Sequence, residues 1–245
     1  MRKRTDVGVT FDFDGTLLPI AQALNYLIDS KALPPEGVKV MEKVRETYLP
    51  KALAATLTPY EEVFWIEETV RTYVRFGLNE KDIVRTIAEA RLKPGAHECL
   101  ARLHAEKIPV AIISYGCRQF VQQALRVNCV EDYVDRVYAM DLHFNESGTI
   151  VGYNPETTVT PTFKGVWSRQ FARELGVPCT GLISVGDGFH GDRRLGSRRK
   201  NRLLLMSEGR PPEGHAKYFG AVRDGSTFYP ATEWLFERIE RLRQH

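Results

Sequence analysis

Five short runs of aliphatic and β-branched residues, separated by helical patterns, leave few architectures open to this chain. The runs are 6–11, 109–113, 134–139, 182–185 and 203–206. Each is short, apolar and bounded by polar or turn residues, so each reads as a buried strand. Between them lie helical patterns. One covers 118–128. Another covers 163–175, with Trp167, Phe171 and Leu175 at i, i+4 and i+8, and with Gly176 placed to end it. Strands that alternate with helices imply a mostly parallel sheet carrying helices on its faces.

The alternation has one long gap. Residues 19–92 carry no strand signal and read as helices. Thr58-Pro59-Tyr60-Glu61 is an N-cap, a first-turn proline and a capping-box glutamate. The helix it opens is expected to turn Val63, Ile66, Val70, Tyr73 and Val74 inward and to end at Gly77. Asn79 caps a further helix with Ile83 and Ile87 inward, and Pro94-Gly95 closes the segment. A crossover between parallel strands needs only about a dozen residues. The surplus points to an inserted helical subdomain over 19–92, with the core formed by 1–18 and 93–245. Residues 145–162 are polar, contain Gly148, Gly152 and Pro155, and read as a hairpin and loop.

Composition excludes more than it selects. A 43% hydrophobic content in 245 residues is enough to bury a core. Lys and Arg exceed Asp and Glu by 34 to 31, too small an excess to mark a nucleic-acid binder. No apolar run approaches the roughly 18 residues of a membrane span. The basic start Met1-Arg2-Lys3-Arg4 is followed only by a short apolar run that meets Asp12 and Asp14, so no secretory signal is expected. Cys99, Cys117, Cys129 and Cys179 are scattered, with no CxxC pair, as in a reduced cytoplasmic protein.

The chemistry-bearing residues gather at strand ends, where open parallel sheets place their sites. The first strand runs into Asp12-Phe13-Asp14-Gly15-Thr16-Leu17. The second ends in Ser114-Tyr115-Gly116, and the fourth in Gly186-Asp187-Gly188-Phe189-His190-Gly191-Asp192. Lys164 opens the helical pattern between them. In this order and spacing, these residues resemble the four signatures of the haloacid dehalogenase-like superfamily. Asp12 to Leu17 matches its DxDGT motif, Ser114 its strand-end Ser/Thr, Lys164 its isolated lysine, and Gly186-Asp187 through Asp192 its acidic motif. The resemblance covers essentially the whole chain. It implies an α/β fold, a Rossmann-like parallel sheet core with an inserted helical cap of the C1 type.

The resemblance also implies an activity: Mg²⁺-dependent hydrolysis of a small-molecule phosphate monoester through an aspartyl-phosphate. Uncatalysed hydrolysis of such esters is so slow that acceleration can reach ~10²¹. A nucleophile, an acid for the leaving oxygen and strong charge neutralisation are all needed. By resemblance, Asp12 is the nucleophile, and Asp14 protonates the leaving oxygen and later takes a proton from water. That role requires an upward shift from a free pKa of about 3.9. Mg²⁺, a hard ion that prefers oxygen, offsets the repulsion among carboxylates and phosphate. Its implied ligands are the Asp12 carboxylate, the Asp14 backbone carbonyl and Asp187, with Asp192 behind them. Ser114, the Tyr115 N–H and Lys164 are the implied phosphate contacts. A small phosphate ester is the only partner expected, and the oligomeric state stays open.

Several competing signals remain. Gly186, Gly188 and Gly191 spell G-x-G-x-x-G, with Glu208 about 20 residues on, which is a dinucleotide fingerprint on paper. Asp187 inside that turn would repel a pyrophosphate, which argues against an NAD-binding oxidoreductase. Cys117 has Gln123 where a thiol phosphatase places arginine. His190 reads as a loop histidine that could touch substrate. The run Arg193, Arg194, Arg198, Arg199, Lys200 and Arg202 reads as a solvated helix face. A phosphotransferase or phosphomutase on the same fold would pass the phosphoryl group to a hydroxyl rather than to water, and residue types separate it poorly from a hydrolase. The intact set of Asp12, Asp14, Lys164 and Asp187 argues against a non-catalytic binding protein on this fold.

Within the superfamily, Lys93-Pro94-Gly95 and the 144–152 hairpin resemble the phosphoserine phosphatase group. That group reads its amino-acid substrate with a glutamate nine residues after the nucleophile, where this chain has Ala21 beside Gln22. Arg45, Arg71, Arg75, Tyr60 and Trp65 are candidate contacts from the cap.

Overall fold

The computed structural model describes residues 6–19, 32–196, 198–207, 211 and 213–244. Ala21, Gln22 and Glu208 lie outside the described residues. The strands are β1 (Gly8–Phe11), β2 (Val110–Cys117), β3 (Arg136–Phe144), β4 (Ile150–Asn154), β5 (Leu182–Gly186), β6 (Arg202–Met206) and β7 (Ala221–Asp224). They form one sheet in the order β4-β3-β2-β1-β5-β6-β7. All neighbours pair in parallel except β4, which returns antiparallel along β3. This is the expected α/β, Rossmann-like core.

Period-two alternation divides the core between the two faces of the sheet. Val9, Phe11, Val110, Ile112, Ile183 and Val185 share one cluster, while Ala111, Ile113, Tyr138 and Leu182 share the other. Helices α4 (Ala96–Ala105), α5 (Arg118–Val127) and α7 (Tyr229–Arg243) cover the first face. They contribute Leu103, Val121 and Leu235 to it. Helix α6 (Lys164–Leu175) covers the second, through Phe171 and Ala172.

Strand ends differ from the sequence reading in ways that matter for the site. β2 does not stop at Ile113 but continues through Ser114-Tyr115-Gly116 to Cys117, where it pairs with Met140 after an irregular register. β3 is long because β4 pairs along its far half, from Asp141 to Phe144. β7 is a four-residue edge strand ending in Arg223 and Asp224, too short and polar to give a pattern.

The long gap is occupied by α1 (Pro35–Leu53), α2 (Pro59–Arg75) and α3 (Glu80–Ile87). Both expected capping boxes form, Thr58 with Glu61 and Asn79 with Asp82. The inward face of α2 is rotated from the expected one. Ile66, Val70 and Tyr73 are buried, but Val63 and Val74 are each 39% exposed. The fourth buried position on that face is Glu62, wholly buried.

The basic stretch is likewise not a helix face. The helical turn Phe189–Asp192 stops after four residues. Arg194 then donates to the His190 carbonyl at 3.0 Å, and Arg202 to the Tyr218 carbonyl at 3.2 Å. The Arg193 guanidinium lies 5.1 Å from the Tyr218 ring centroid. These cations fasten loops through carbonyls and a ring. The single turn also leaves the G-x-G-x-x-G residues without the long helix that a dinucleotide site requires. No described helix is long and apolar enough to cross a membrane.

Candidate active site

The carboxyl ends of β1, β2 and β5 meet in one place, and the neighbouring backbone shapes it. Past β1, the Asp12 N–H donates to the Val185 carbonyl at 3.0 Å, which carries the sheet pairing into the loop. The chain then turns sharply at Gly15, where φ is +79°. A Cβ at Gly15 would lie 2.0 Å from Asp187 Oδ2, so only glycine brings the two loops this close. Thr16 Oγ1 donates to Asp187 Oδ1 at 2.9 Å. The buried Lys93 ammonium donates to the Gly15 carbonyl and, at 2.6 Å, to that of Gly225.

Lys164 is the first residue of α6, and its side chain is buried. Its Nζ lies 2.8 Å from Asp12 Oδ1 and 2.7 Å from Asp192 Oδ1. The other Asp192 oxygen accepts from the Gly188 N–H at 2.7 Å. Burial works against the Lys164 ammonium, but the charges of Asp12 and Asp192 outweigh it and hold the proton more firmly than in a free lysine. Asp14 is differently placed. Burial and then the Asp12 charge push its pKa up to about 7, against weaker pulls from Lys164 and the Ser114 hydroxyl. Asp187 is pushed up to about 7 by the same two causes, opposed by the Thr16 hydrogen bond.

Ser114 is wholly buried at the end of β2 and accepts from the Gly116 N–H at 3.0 Å. Tyr115 reaches the opposite way, and its hydroxyl donates to the Glu62 carbonyl of α2. The Glu62 carboxylate accepts from the Thr162 N–H and the Thr162 hydroxyl, each at 3.0 Å, and from His190 Nε2 at 2.9 Å. Burial alone would raise the Glu62 carboxyl, but these hydrogen bonds bring it below its ordinary value. His190 is therefore not a solvated loop residue. It ties the acidic loop to α2.

Asp12, Asp187 and Asp192 place carboxylate oxygens within 4.8 Å of one another. Buried, mutually repelling carboxylates of this kind suit a hard divalent cation. Asp192, expected behind the ligands, joins this side-chain triad alongside the expected Asp12 and Asp187. Both Asp192 oxygens already accept from protein donors, whereas the expected Asp14 ligand is its backbone carbonyl.

A cavity of about 710 Å³ opens from this cluster and extends beneath α1 and α2. Of the candidate contacts named from the sequence, Arg45 and Trp65 line it. Tyr60 is 79% exposed and Arg75 pairs with Glu36 at the surface, so neither faces the site. Arg71 is exposed as well. Burial pushes the Cys117 thiol up, which rules out a ready thiolate nucleophile.

A family model for haloacid dehalogenase-like hydrolases matches residues 9–190, from within β1 to the acidic loop. The chain belongs to that family. The fold of this haloacid dehalogenase-like hydrolase is similar to that of cytosolic 5'-nucleotidase IIIB bound to cytidine, at 16% identity and a TM-score of 0.73. That match covers 98% of this chain and 87% of the other. A substrate-bound phosphoserine phosphatase is similar at 17% identity and a TM-score of 0.69, over 95% of this chain and 100% of the other. A probable phosphoserine phosphatase from Vibrio cholerae is similar at 16% identity and a TM-score of 0.65, covering 98% and 69%.

Two supporting residues of this hydrolase, Glu62 and Thr162, escape a motif reading, while Thr16 and Lys93 fall inside motifs without a task assigned to them. Lys93 has a local signal, since it precedes the Pro94-Gly95 turn. Glu62 has a misleading one, because an acid in the first turn of a helix ordinarily faces water.

Proposed function

We propose that this hydrolase is an Mg²⁺-dependent phosphatase of small-molecule phosphate monoesters, acting through an aspartyl-phosphate on Asp12. The observation that carries the reading is one constellation at the strand ends. A carboxylate held by a buried lysine (Asp12, 2.8 Å from Lys164) stands beside a carboxyl pushed up to about 7 (Asp14). A nucleophile and an acid require these opposite environments.

Each residue then has a task. Asp12 attacks phosphorus while its charge is balanced by Lys164. Asp14, its carboxyl pushed up to about 7, carries the proton that it gives to the departing oxygen. The same carboxylate, now ionised, takes a proton from the water that attacks the aspartyl-phosphate. The Ser114 hydroxyl and the Tyr115 N–H hold phosphoryl oxygens. Asp187, the Asp12 carboxylate and the Asp14 carbonyl would hold the cation, which would supply charge neutralisation for the phosphate. Asp192, occupied by Lys164 and Gly188, positions the lysine. Residues 19–92 form the cap over a core of 1–18 and 93–245, and the cap walls the leaving-group side.

The test uses an aryl phosphate. Purified protein is expected to hydrolyse p-nitrophenyl phosphate with Mg²⁺ and to lose that activity in EDTA. Asp12→Asn should reduce it at least about 1,000-fold, in line with loss of a covalent nucleophile. Undiminished turnover by Asp12→Asn would overturn the assignment.

A further inference from the structure

Resting on the phosphatase reading, we propose that the ester cleaved here carries a bulky apolar or aromatic leaving group with no ammonium on it. The cavity is the first reason. About 710 Å³ is far more than a phosphoryl group needs, and falls in the range of roughly 300–1,000 Å³ that encloses drug-sized ligands. Away from the strand ends its walls are apolar. Met41, Leu49 and Leu53 come from α1, Leu57 from the turn after it, Ile66 from α2 and Phe120 from α5. Leu53, which lines the cavity, is also 79% exposed, so the chamber is apolar out to its surface.

The aromatic wall is held in place. The Trp65 ring stacks on Tyr48, with centroids 5.8 Å apart and an interplanar angle of 14°. Tyr115 meets it edge-on at 5.7 Å. The Tyr115 hydroxyl is anchored on the Glu62 carbonyl, so the ring does not present a free hydroxyl donor. A surface built this way recognises a flat or extended hydrocarbon group by area and ring contact.

Charge supplies the second reason. Among the described residues, the lining has acids only at the strand ends: Asp12, Asp14, Asp187 and Asp192. Among those same residues, Arg45 is the one charged side chain lining the chamber away from the strand-end cluster. Two acids of α2 come near without reaching it. Glu62 is buried beneath Thr162 and His190, and Glu68 is engaged by Tyr48. An ammonium on the leaving group would meet no acid among the described lining residues away from the strand ends, and burying it against apolar walls would cost its hydration.

The experiment compares phosphates of primary alcohols; ethanol, hexanol and 3-phenylpropanol have similar acidity, and the ammonium-bearing alcohols are more acidic, which favours their departure. Ethyl phosphate, hexyl phosphate, 3-phenylpropyl phosphate, phosphoethanolamine and phosphoserine are assayed for kcat/KM with Mg²⁺. Each buried methylene is expected to lower KM about fourfold. The 3-phenylpropyl ester should therefore exceed ethyl phosphate by about 100-fold or more, and the two ammonium-bearing esters should not exceed ethyl phosphate. Leu49→Glu puts a carboxylate in the chamber and should cut the preference for 3-phenylpropyl phosphate over phosphoethanolamine at least about tenfold. Equal turnover across the panel, or a preference for phosphoserine, would overturn this inference and leave the phosphatase reading standing. Hydrolysis of no ester at all, p-nitrophenyl phosphate included, would overturn the phosphatase reading itself. The wild-type panel decides the matter even if Leu49→Glu does not fold.

Discussion

Asp12 and Asp14 are two residues apart, of one chemical type, and yet set in different surroundings. Asp12 touches the Lys164 ammonium, while Asp14 has burial and the Asp12 charge against its ionised form. This asymmetry predicts how Asp14→Asn behaves. Loss of the acid should slow esters of weakly acidic alcohols by about 100-fold or more, and p-nitrophenyl phosphate much less. Equal loss across leaving groups, measured as kcat/KM against alcohol pKa, would refute the acid role. Gly15 makes a second case at this scale. Gly15→Ala combines a left-handed φ, worth about 1–2 kcal/mol against any L side chain, with a Cβ set 2.0 Å from Asp187. A lower melting temperature together with weaker Mg²⁺ binding by titration calorimetry is expected. Both residues were legible in the sequence because strand, acid and glycine follow one another directly. The state of Asp14 was not, since it depends on burial and on neighbours up to 150 residues away, such as Lys164.

Glu62 is a polar link between helix α2 and the segments around the site. Glu62 accepts from Thr162 twice and from His190 once, and its carbonyl takes the Tyr115 hydroxyl. Those donors belong to the loop before α6, the acidic loop and the end of β2, the three segments that carry Lys164, Asp192 and Ser114. Glu62→Ala removes the acceptor and leaves the Thr162 N–H, the Thr162 hydroxyl and His190 unpaired in a partly buried setting. Such groups cost about 1–3 kcal/mol each when unsatisfied, with sums that do not simply add. A melting temperature lower by at least about 3 °C is expected, because about 1 kcal/mol corresponds to about 2–4 °C at this size. Unchanged melting would mean that the contact carries no net stability. The sequence placed this helix and its capping box correctly but chose Val63 and Val74 for the inward face. Hydrophobicity alone favours valine over glutamate, and only the donors waiting on the core side make the other face the stable one.

For the whole molecule, burying several carboxyls at one sheet edge sets how stability depends on pH. Asp14 and Asp187 are both raised to about 7 by burial and by Asp12, so the folded state binds protons more tightly than the unfolded chain. Stability from these groups is fully present below about pH 4, the unfolded value, and is lost as pH rises through about 7. The metal-free protein should therefore melt at least about 2–4 °C lower at pH 8 than at pH 5, a difference of about 1 kcal/mol or more. On the proposed Mg²⁺ site the cation would bind the ionised carboxylates, so Mg²⁺ should raise the melting temperature more at pH 8 than at pH 5. Thermal scans in EDTA and in Mg²⁺ at both pH values check this, and a metal effect independent of pH would contradict it. By itself the sequence determined the parallel sheet and the strand ends that carry Asp12, Ser114 and Asp187. It did so because buried strands are encoded locally, and parallel pairing sends their carboxyl ends to one edge. Only the tertiary structure decided that Glu62 faces inward, that His190 is tied to it, and that α1 and α2 enclose an apolar chamber. Those outcomes depend on which helix face meets donors from distant segments, and no local residue pattern carries that information.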